Sequence, residues 1–188
     1  QSIVGIDESF STTLAASRRH ASLQGRLLVT DVASSGLRAN SFDLIVSTST
    51  LDHFATRDEF GKAIRDLHRI LEPGGLLILT LDNPWNPLYW PLRAYSRTRF
   101  APYFLGYTPS IDRLEANLRD AGFAVESRAW LIHNPRLLST LLFKALRITL
   151  GRNADLPIRG ALWLFDCLRL LPTIRLTACF QAVAARKP

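Results

Sequence analysis

The chain has 188 residues, of which 47% are hydrophobic and 21% charged, a composition typical of one globular domain that excludes a disordered or collagen-like chain. The formal net charge of +7 would suit an anionic partner, but the arginines are scattered, so we interpret them as a basic solvated surface. No signal sequence opens the chain and no run of about 18 apolar residues occurs, so we expect neither export nor a membrane span. Because Cys167 and Cys179 lie far from any zinc-ligand spacing, we expect no metal site and a cytoplasmic location.

Short apolar strands alternate with helices along most of the chain. Strands are predicted where apolar residues run without interruption, and helices where they recur every three to four residues. This pattern gives strands over 2–7, 26–31, 42–47, 76–81, 123–130 and 173–185, and helices over 9–20, 58–71 and 110–121. Nearly all-apolar strands that alternate with helices indicate an α/β fold, with a Rossmann-like, mainly parallel sheet covered by helices on both faces.

Residues 82–108 depart from this alternation. The segment interleaves prolines with tryptophans, tyrosines and phenylalanines, a composition that argues against a regular helix or a central strand. We therefore predict an irregular lid or insert between the fourth strand and the helix that follows.

Two apolar helical segments, 137–150 and 161–171, are separated by a break at 151–157 and are each too short to span a bilayer. Three interpretations stay open for them. They could pack together as a hairpin against the sheet, which we favour, or cap an apolar substrate. They could also lie at a membrane interface, where their basic residues would contact anionic head groups. The protein would then be membrane-associated. These basic residues are Lys144, Arg147 and Arg169.

Aspartates follow the first two predicted strands at the point where each strand ends. Open α/β sheets bind ligands at the carboxyl ends of their parallel strands. Asp7 at such an end could accept both hydroxyls of a ribose, and Asp31 could accept a hydrogen bond from an adenine amino group. Asp7 could instead cap the helix that follows it. The two ends together indicate a site shaped for adenosine.

Three motifs resemble the methyltransferase type 11 family of class I S-adenosylmethionine-dependent methyltransferases. They are Phe42-Asp43-Leu44-Ile45-Val46-Ser47, Leu51-Asp52-His53-Phe54 and Leu67-His68-Arg69-Ile70-Leu71-Glu72-Pro73-Gly74-Gly75. The family has a strand of the form FDLV, a loop with a histidine and a helix ending RxLKPGG, so Glu72 replaces the usual lysine. The resemblance covers residues 3–81 well and implies an antiparallel last strand.

The resemblance also implies S-adenosylmethionine as cofactor and assigns its contacts. Asp7 would match the ribose-binding acid, and Asp31 with Val32 the pair that contacts the adenine. Ser47 and Thr48 would lie near the methionine moiety. His53 aligns with a histidine whose role varies in the family, and we expect loop structure or helix capping for it ahead of catalysis.

The largest departure from the family lies upstream. The family's first strand and its GxGxG loop should precede Ser2 and are absent from this sequence. Gly5 lies within a predicted strand and cannot replace that loop. Because the sequence opens on Gln1 and has no methionine, we expect an N-terminally incomplete domain that lacks one central strand. A catalytically silent methyltransferase-like binding module is therefore one alternative function.

The predicted lid follows a strand whose end opens toward the cofactor, so we expect it to form the acceptor pocket. Its candidate substrate contacts, which lid packing explains as readily, are Tyr89, Tyr95, Tyr103 and Tyr107. Apolar surroundings favour a small-molecule or lipid-like acceptor over a nucleic acid, since no stripe of basic and aromatic residues occurs. A nicotinamide-dependent Rossmann oxidoreductase is a further alternative, against which the PGG turn argues.

These expectations together describe a single domain. Its core would comprise 1–81, 109–130 and 173–186, its lid 82–108 and its helical insert 134–172.

Overall fold

The computed structural model describes residues 3–23, 25–101, 104–133 and 135–188. The strands are β1 Gly5–Asp7, β2 Leu27–Val29, β3 Phe42–Thr48, β4 Leu71–Asp82, β5 Ala124–Leu131 and β6 Phe180–Arg186. The helices are α1 Phe10–Arg19, α2 Arg57–Ile70, α3 Tyr89–Ser96, α4 Ile111–Asp120, α5 Arg136–Leu150, α6 Asp155–Asp166 and α7 Ile174–Thr177. The α/β class predicted from the alternating pattern is confirmed.

The strands form two sheets where one was predicted. β1 and β2 pair in parallel, with Asp7 opposite Val29. The second sheet has the order β3-β4-β6-β5, in which β3 is parallel to β4 and β6 is antiparallel to both of its neighbours. The antiparallel last strand agrees with the prediction. The single continuous sheet that was predicted is not observed, because no strand of the described residues joins β1 to β3.

The hydrophobic core lies between the four-stranded sheet and the helices α2 and α4. Both helices bury apolar residues at helical spacing, as their sequences predict. These residues are Phe60, Ile64, Leu67, Ile111, Leu114 and Leu118, and β4 adds Leu77, Leu79 and Leu81. No described residue of α5 or α6 belongs to this core cluster, and the favoured packing of these helices against the sheet stays a prediction.

Pro73, Gly74 and Gly75 lie inside β4, whereas the sequence predicted a turn between helix and strand. The pairing of β3 with β4 steps from Phe42 opposite Leu71 to Leu44 opposite Leu76, so the extra residues form a bulge. Gly74 has a φ of 80°, which glycine adopts without strain, and its N–H donates to the Lys187 carbonyl at 2.8 Å.

Two prolines stand in the first turns of regular helices, where composition argued against a helix. Pro91 is the third residue of α3, and Pro157 is the third residue of α6. The N–H groups of a first helical turn have no partner within the helix, so a proline there removes no hydrogen bond. The predicted irregular lid therefore contains a helix, and the predicted break shortens to the 3-10 turn Gly151–Ala154. The last strand also starts later than predicted, because the residues of α7 are helical.

Lys187 forms hydrogen bonds that connect the C-terminal end of the chain to the end of α2. Its Nζ donates to Asn40 Oδ1 and to the carbonyls of His68 and Leu71, each at 2.8 Å. The carbonyls at a helix C-terminus lack intrahelical partners and carry partial negative charge, so a cation there stabilises the helix.

We expect Lys187→Met to lower the free energy of unfolding by about 2 kcal/mol, because three acceptors lose a charged donor. Urea denaturation followed by circular dichroism measures the change. Lys62→Met on the exposed side of α2 is the matched control and should change the value by less than about 0.5 kcal/mol. Equal losses in the two variants would contradict this role of Lys187.

The stability of the fold should depend on pH through His68. Burial lowers the pKa of His68, and the nearby Lys187 charge lowers this pKa further. The His68 ring packs edge-on against the ring of Phe123, with 4.9 Å between ring centroids. Because the folded pKa lies below the unfolded one, the stabilising contribution is complete above about pH 6.5 and is lost as the pH falls through the folded pKa.

We therefore expect the free energy of unfolding to fall between about pH 7 and pH 5, with a shallower fall in His68→Gln. Burial also lowers the pKa of His133, so the free energy of unfolding still falls with pH in the His68→Gln variant. His20→Gln, at an exposed position, is the matched histidine-to-glutamine control. If the free energy of unfolding falls equally steeply with pH in His68→Gln and in the parent chain, His68 is not a source of the pH dependence.

Candidate functional site

A cleft of about 830 Å³ opens between the two sheets. One wall is the segment Val4–Glu8, which contains β1, and the other is β3 with the turn after it. The loop that follows β2 closes one end through Thr30, Asp31 and Val32. The carboxyl ends of β1, β2 and β3 therefore meet at one cleft, as parallel α/β sheets require of a ligand site.

Asp7 and Asp31 lie side by side at this edge. Asp7 ends β1, and its carbonyl accepts the Thr30 N–H at 3.1 Å, which places Asp31 beside it. One carboxylate oxygen of each residue accepts a backbone N–H at 2.8 Å, from Ser9 and Ala33 respectively. The second oxygen of each carboxylate has no hydrogen-bond partner among the described residues. Capping and ligand binding are therefore compatible at both positions.

The other three predicted cofactor contacts line the same cleft. Val32 is half-buried in a 3-10 turn whose N-cap is Asp31, and it packs against the core. Ser47 is buried and Thr48 exposed at the end of β3. Ser49 then turns the chain with a φ of 48° while its N–H donates to the Thr80 carbonyl at 3.0 Å. The structure thus brings the five residues together, and their contacts with a cofactor stay a prediction.

His53 lies at the mouth of the cleft in the 3-10 turn Leu51–His53. Its Nδ1 donates to the Phe104 carbonyl. A carbonyl only accepts, so Nδ1 carries the proton, and Nε2 of the neutral ring is the unprotonated nitrogen. This Nε2 lies 4.0 Å from Oδ1 of the buried Asp52. The bond to Phe104 connects the turn at His53 to the insert and leaves Nε2 as the nitrogen that could accept a proton, and the role of His53 stays a prediction.

Asp52 and Gly106 form hydrogen bonds that connect the turn at His53 to β4 and to the insert. Neither residue was predicted from the sequence to have this role. The Asp52 carboxylate accepts the Asp82 N–H at 3.1 Å, and its carbonyl accepts the Gly106 N–H at 2.7 Å. The next N–H, of Tyr107, donates to the Phe54 carbonyl at 2.7 Å. The only signal in the sequence is one glycine in an aromatic run, and the hydrogen-bond partners 53 and 54 residues away cannot be predicted from it.

The described tyrosines of the insert do not line the cleft. Tyr89 is buried, which raises the pKa of its hydroxyl, and Tyr95 donates to the Phe100 carbonyl at 3.0 Å. Tyr107 packs edge-on against Phe60 in the core, with 5.5 Å between ring centroids. Tyr103 lies outside the described residues. Phe104 is the described insert residue that reaches the cleft, and substrate contact by the tyrosines stays a prediction.

Comparisons with known proteins agree with the motifs. The family described as Methyltransferase domain, type 11, matches residues 1–79. No curated protein sequence matches the chain. Among solved structures, a SAM-dependent methyltransferase from Archaeoglobus fulgidus superposes with a TM-score of 0.64 at 12% identity, covering 98% of this chain and 75% of that one.

Two further structures share the fold. Phosphoethanolamine N-methyltransferase 2 of Haemonchus contortus, in complex with S-adenosyl-L-methionine, has a TM-score of 0.61 at 22% identity and covers 98% of this chain and 43% of that one. The [4+2]-cyclase SpnF has a TM-score of 0.60 at 21% identity and covers 99% of this chain and 66% of that one. The chain thus spans less than two thirds of both proteins. The predicted resemblance to class I methyltransferases is confirmed.

Proposed function

We propose that this chain, with its type 11 methyltransferase domain match over residues 1–79, binds S-adenosylmethionine between β1 and β3 and directs methyl transfer to a small-molecule or lipid-like acceptor. One observation carries the proposal. Two carboxylates at neighbouring strand ends, each with an oxygen that has no partner among the described residues, line a cleft together with Ser47 and Thr48.

The donors and acceptors in the cleft fit the cofactor. A ribose offers two hydroxyl donors and an adenine offers an amino donor, and both match carboxylate acceptors at Asp7 and Asp31. Val32 supplies an apolar contact for the adenine ring. Ser47 and Thr48 supply hydroxyls at the opposite wall, where the methionine moiety would lie.

His53 is suited to remove a proton from the acceptor. S-adenosylmethionine, when bound, would supply an electrophilic methyl group, and transfer of this group to the acceptor, with S-adenosylhomocysteine as the leaving group, mainly requires alignment of donor and acceptor. The bond to Phe104 orients the ring, and the unprotonated Nε2 can accept a proton at the mouth of the cleft. The buried Asp52 carboxylate at 4.0 Å would stabilise the imidazolium that forms.

The surroundings of the cleft favour an apolar acceptor. Phe54 and Phe104 line its mouth, and the neighbouring insert exposes further aromatic rings to solvent. Aromatic side chains provide large apolar contact areas for a ligand with few polar groups. The chain would therefore select its acceptor by apolar contact, with His53 as the polar group at the reacting atom.

A binding role without methyl transfer is the second candidate. The superposition on a [4+2]-cyclase favours it, because that fold neighbour is named for another reaction. Such a protein would bind the cofactor or an analogue in the same cleft but transfer no methyl group.

Competition binding tests the proposal. Equilibrium dialysis with radiolabelled S-adenosylmethionine should show saturable binding that S-adenosylhomocysteine and adenosine displace, whereas NAD should not displace it at matched concentration. Displacement by NAD alone would support the oxidoreductase alternative and overturn the proposal. If the chain binds the cofactor but methylates no apolar acceptor, the result would support the second candidate, a binding role without methyl transfer.

A further inference from the structure

The positive charge of the chain is concentrated in the segment that forms α5, α6 and α7. Residues 135–177 contain seven arginines and lysines but only two acidic residues, which gives +5 of the chain's formal +7. The sequence as a whole was interpreted as a scattered basic surface, and the structure shows that most of the excess belongs to the segment that forms α5, α6 and α7.

The same helices expose large apolar side chains. On α5, Leu141 and Ile148 are 66% and 75% exposed and lie seven residues apart, which places them on one face of the helix. On α6, Leu156 and Trp163 have the same spacing and are 81% and 70% exposed. We call these four residues the apolar stripes. A folded domain that leaves such side chains in water has a surface suited to an apolar partner.

Three cations accompany the apolar stripes. Lys144, Arg152 and Arg159 are exposed and form no ion pair with the described residues. Arg147 is paired with Asp155 at 3.2 Å, so its charge is partly balanced. Amphipathic helices with apolar residues on one face and free cations beside them are typical of segments that lie in the plane of an anionic membrane interface.

The neighbouring insert is fixed to this region by two buried asparagines. Asn83 Nδ2 donates to the carbonyls of Arg175 and Ala178, at 2.7 and 2.9 Å, and Asn86 Nδ2 donates to the Ala178 carbonyl at 3.0 Å. The exposed Trp85 and Trp90 are thereby held close to the end of the helical segment. Tryptophan is enriched at membrane interfaces, where its ring meets both apolar and polar surroundings.

We propose that α5 and α6 bind the surface of an anionic lipid bilayer, with the apolar stripes among the acyl chains and Lys144, Arg152 and Arg159 on the head-group phosphates. Among the described residues no helix is long and apolar enough to cross a bilayer, so the contact lies on one face of the membrane. A second copy of the chain is a poorer occupant, because two such basic surfaces would repel each other. The inference does not rest on the proposed methyl transfer.

Vesicle sedimentation tests the proposal with the whole chain. We expect the chain to bind vesicles of phosphatidylcholine with about a third of phosphatidylglycerol at least about 10-fold more tightly than vesicles of phosphatidylcholine alone. Raising the salt concentration should weaken this binding, since salt screens exposed charges. The tryptophan fluorescence of the chain should shift to shorter wavelength with anionic vesicles.

Two variants separate the apolar and the electrostatic parts. We expect Leu156→Gln with Trp163→Gln to weaken vesicle binding by about 10-fold or more, because the deepest apolar contacts are lost. Lys144→Gln with Arg152→Gln and Arg159→Gln should weaken it by about 100-fold. Both variants change exposed residues outside the core, and circular dichroism checks that they fold.

The matched control removes the same charge elsewhere, by Arg38→Gln with Lys62→Gln and Arg113→Gln. It should keep vesicle binding within about threefold of the parent chain. An equal loss in the control, or no binding of the parent chain to anionic vesicles, would overturn the proposal. So would a concentration-dependent dimer that Leu156→Gln with Trp163→Gln abolishes, with no vesicle binding, since the stripes would then join two copies.

Discussion

Replacing Gly106 with alanine should lower the free energy of unfolding by about 4 kcal/mol, the largest loss we expect from one added methyl group. A Cβ at this position would overlap the Phe54 carbonyl oxygen and lie 2.7 Å from the carbonyl carbon. Both are backbone atoms, so no side-chain rotation relieves the overlap. The insert would have to move away from the turn that carries His53, and the hydrogen bonds to Asp52 and Phe54 would open.

Gly160→Ala is the matched control for this substitution. Gly160 lies within α6, and a Cβ there would meet nothing within 4 Å. Alanine has the higher helix propensity, so this variant should gain up to about 1 kcal/mol. Urea denaturation of the two variants measures both changes. Equal stability of the two variants would show that the insert does not pack against the turn as described.

Asp7→Asn should lower the affinity for S-adenosylhomocysteine by about 10- to 100-fold, because a charged acceptor of ribose hydroxyls is lost. The asparagine Oδ1 can still accept the Ser9 N–H, so the start of α1 is kept. The new amide group is a donor and cannot accept from a hydroxyl. Isothermal titration calorimetry measures the affinity.

The same exchange at Asp43 is the control for Asp7→Asn. Asp43 is an exposed carboxylate on β3 that does not line the cleft, although the residues on both sides of it do. We expect Asp43→Asn to change the affinity by less than about twofold. A loss shared by both variants would indicate a general effect of negative charge rather than a bond from Asp7.

Local signals in the sequence predicted the helices and the strand ends well. Ser9, the first residue of the predicted helix 9–20, caps α1 with its side chain, and the two aspartates lie at neighbouring strand ends because β1 and β2 pair in parallel. Capping and strand ends depend on residues close in sequence, which is why the chain order reveals them. The five residues that the family resemblance assigned to the cofactor line one cleft, and their contacts with a cofactor stay a prediction.

Features that depend on distant partners were missed. The contact of Gly106 with the turn at His53 joins segments about 50 residues apart, and the hydrophobic periodicity of the sequence does not predict such a contact. Pro91 was misread as a helix breaker, because composition alone does not say that a proline falls in a first turn. The division of the described strands into two sheets, with β1 and β3 each at an edge, also depends on pairing between distant segments.

Hydrogen exchange with and without S-adenosylhomocysteine tests the central claim most directly, because it locates the bound ligand. We expect slower amide exchange at residues 5–9, 29–34 and 46–53, where the carboxyl ends of β1, β2 and β3 meet, and no change over 155–166. Unchanged exchange at these strand ends, or protection confined to another surface, would contradict a cofactor site in the cleft.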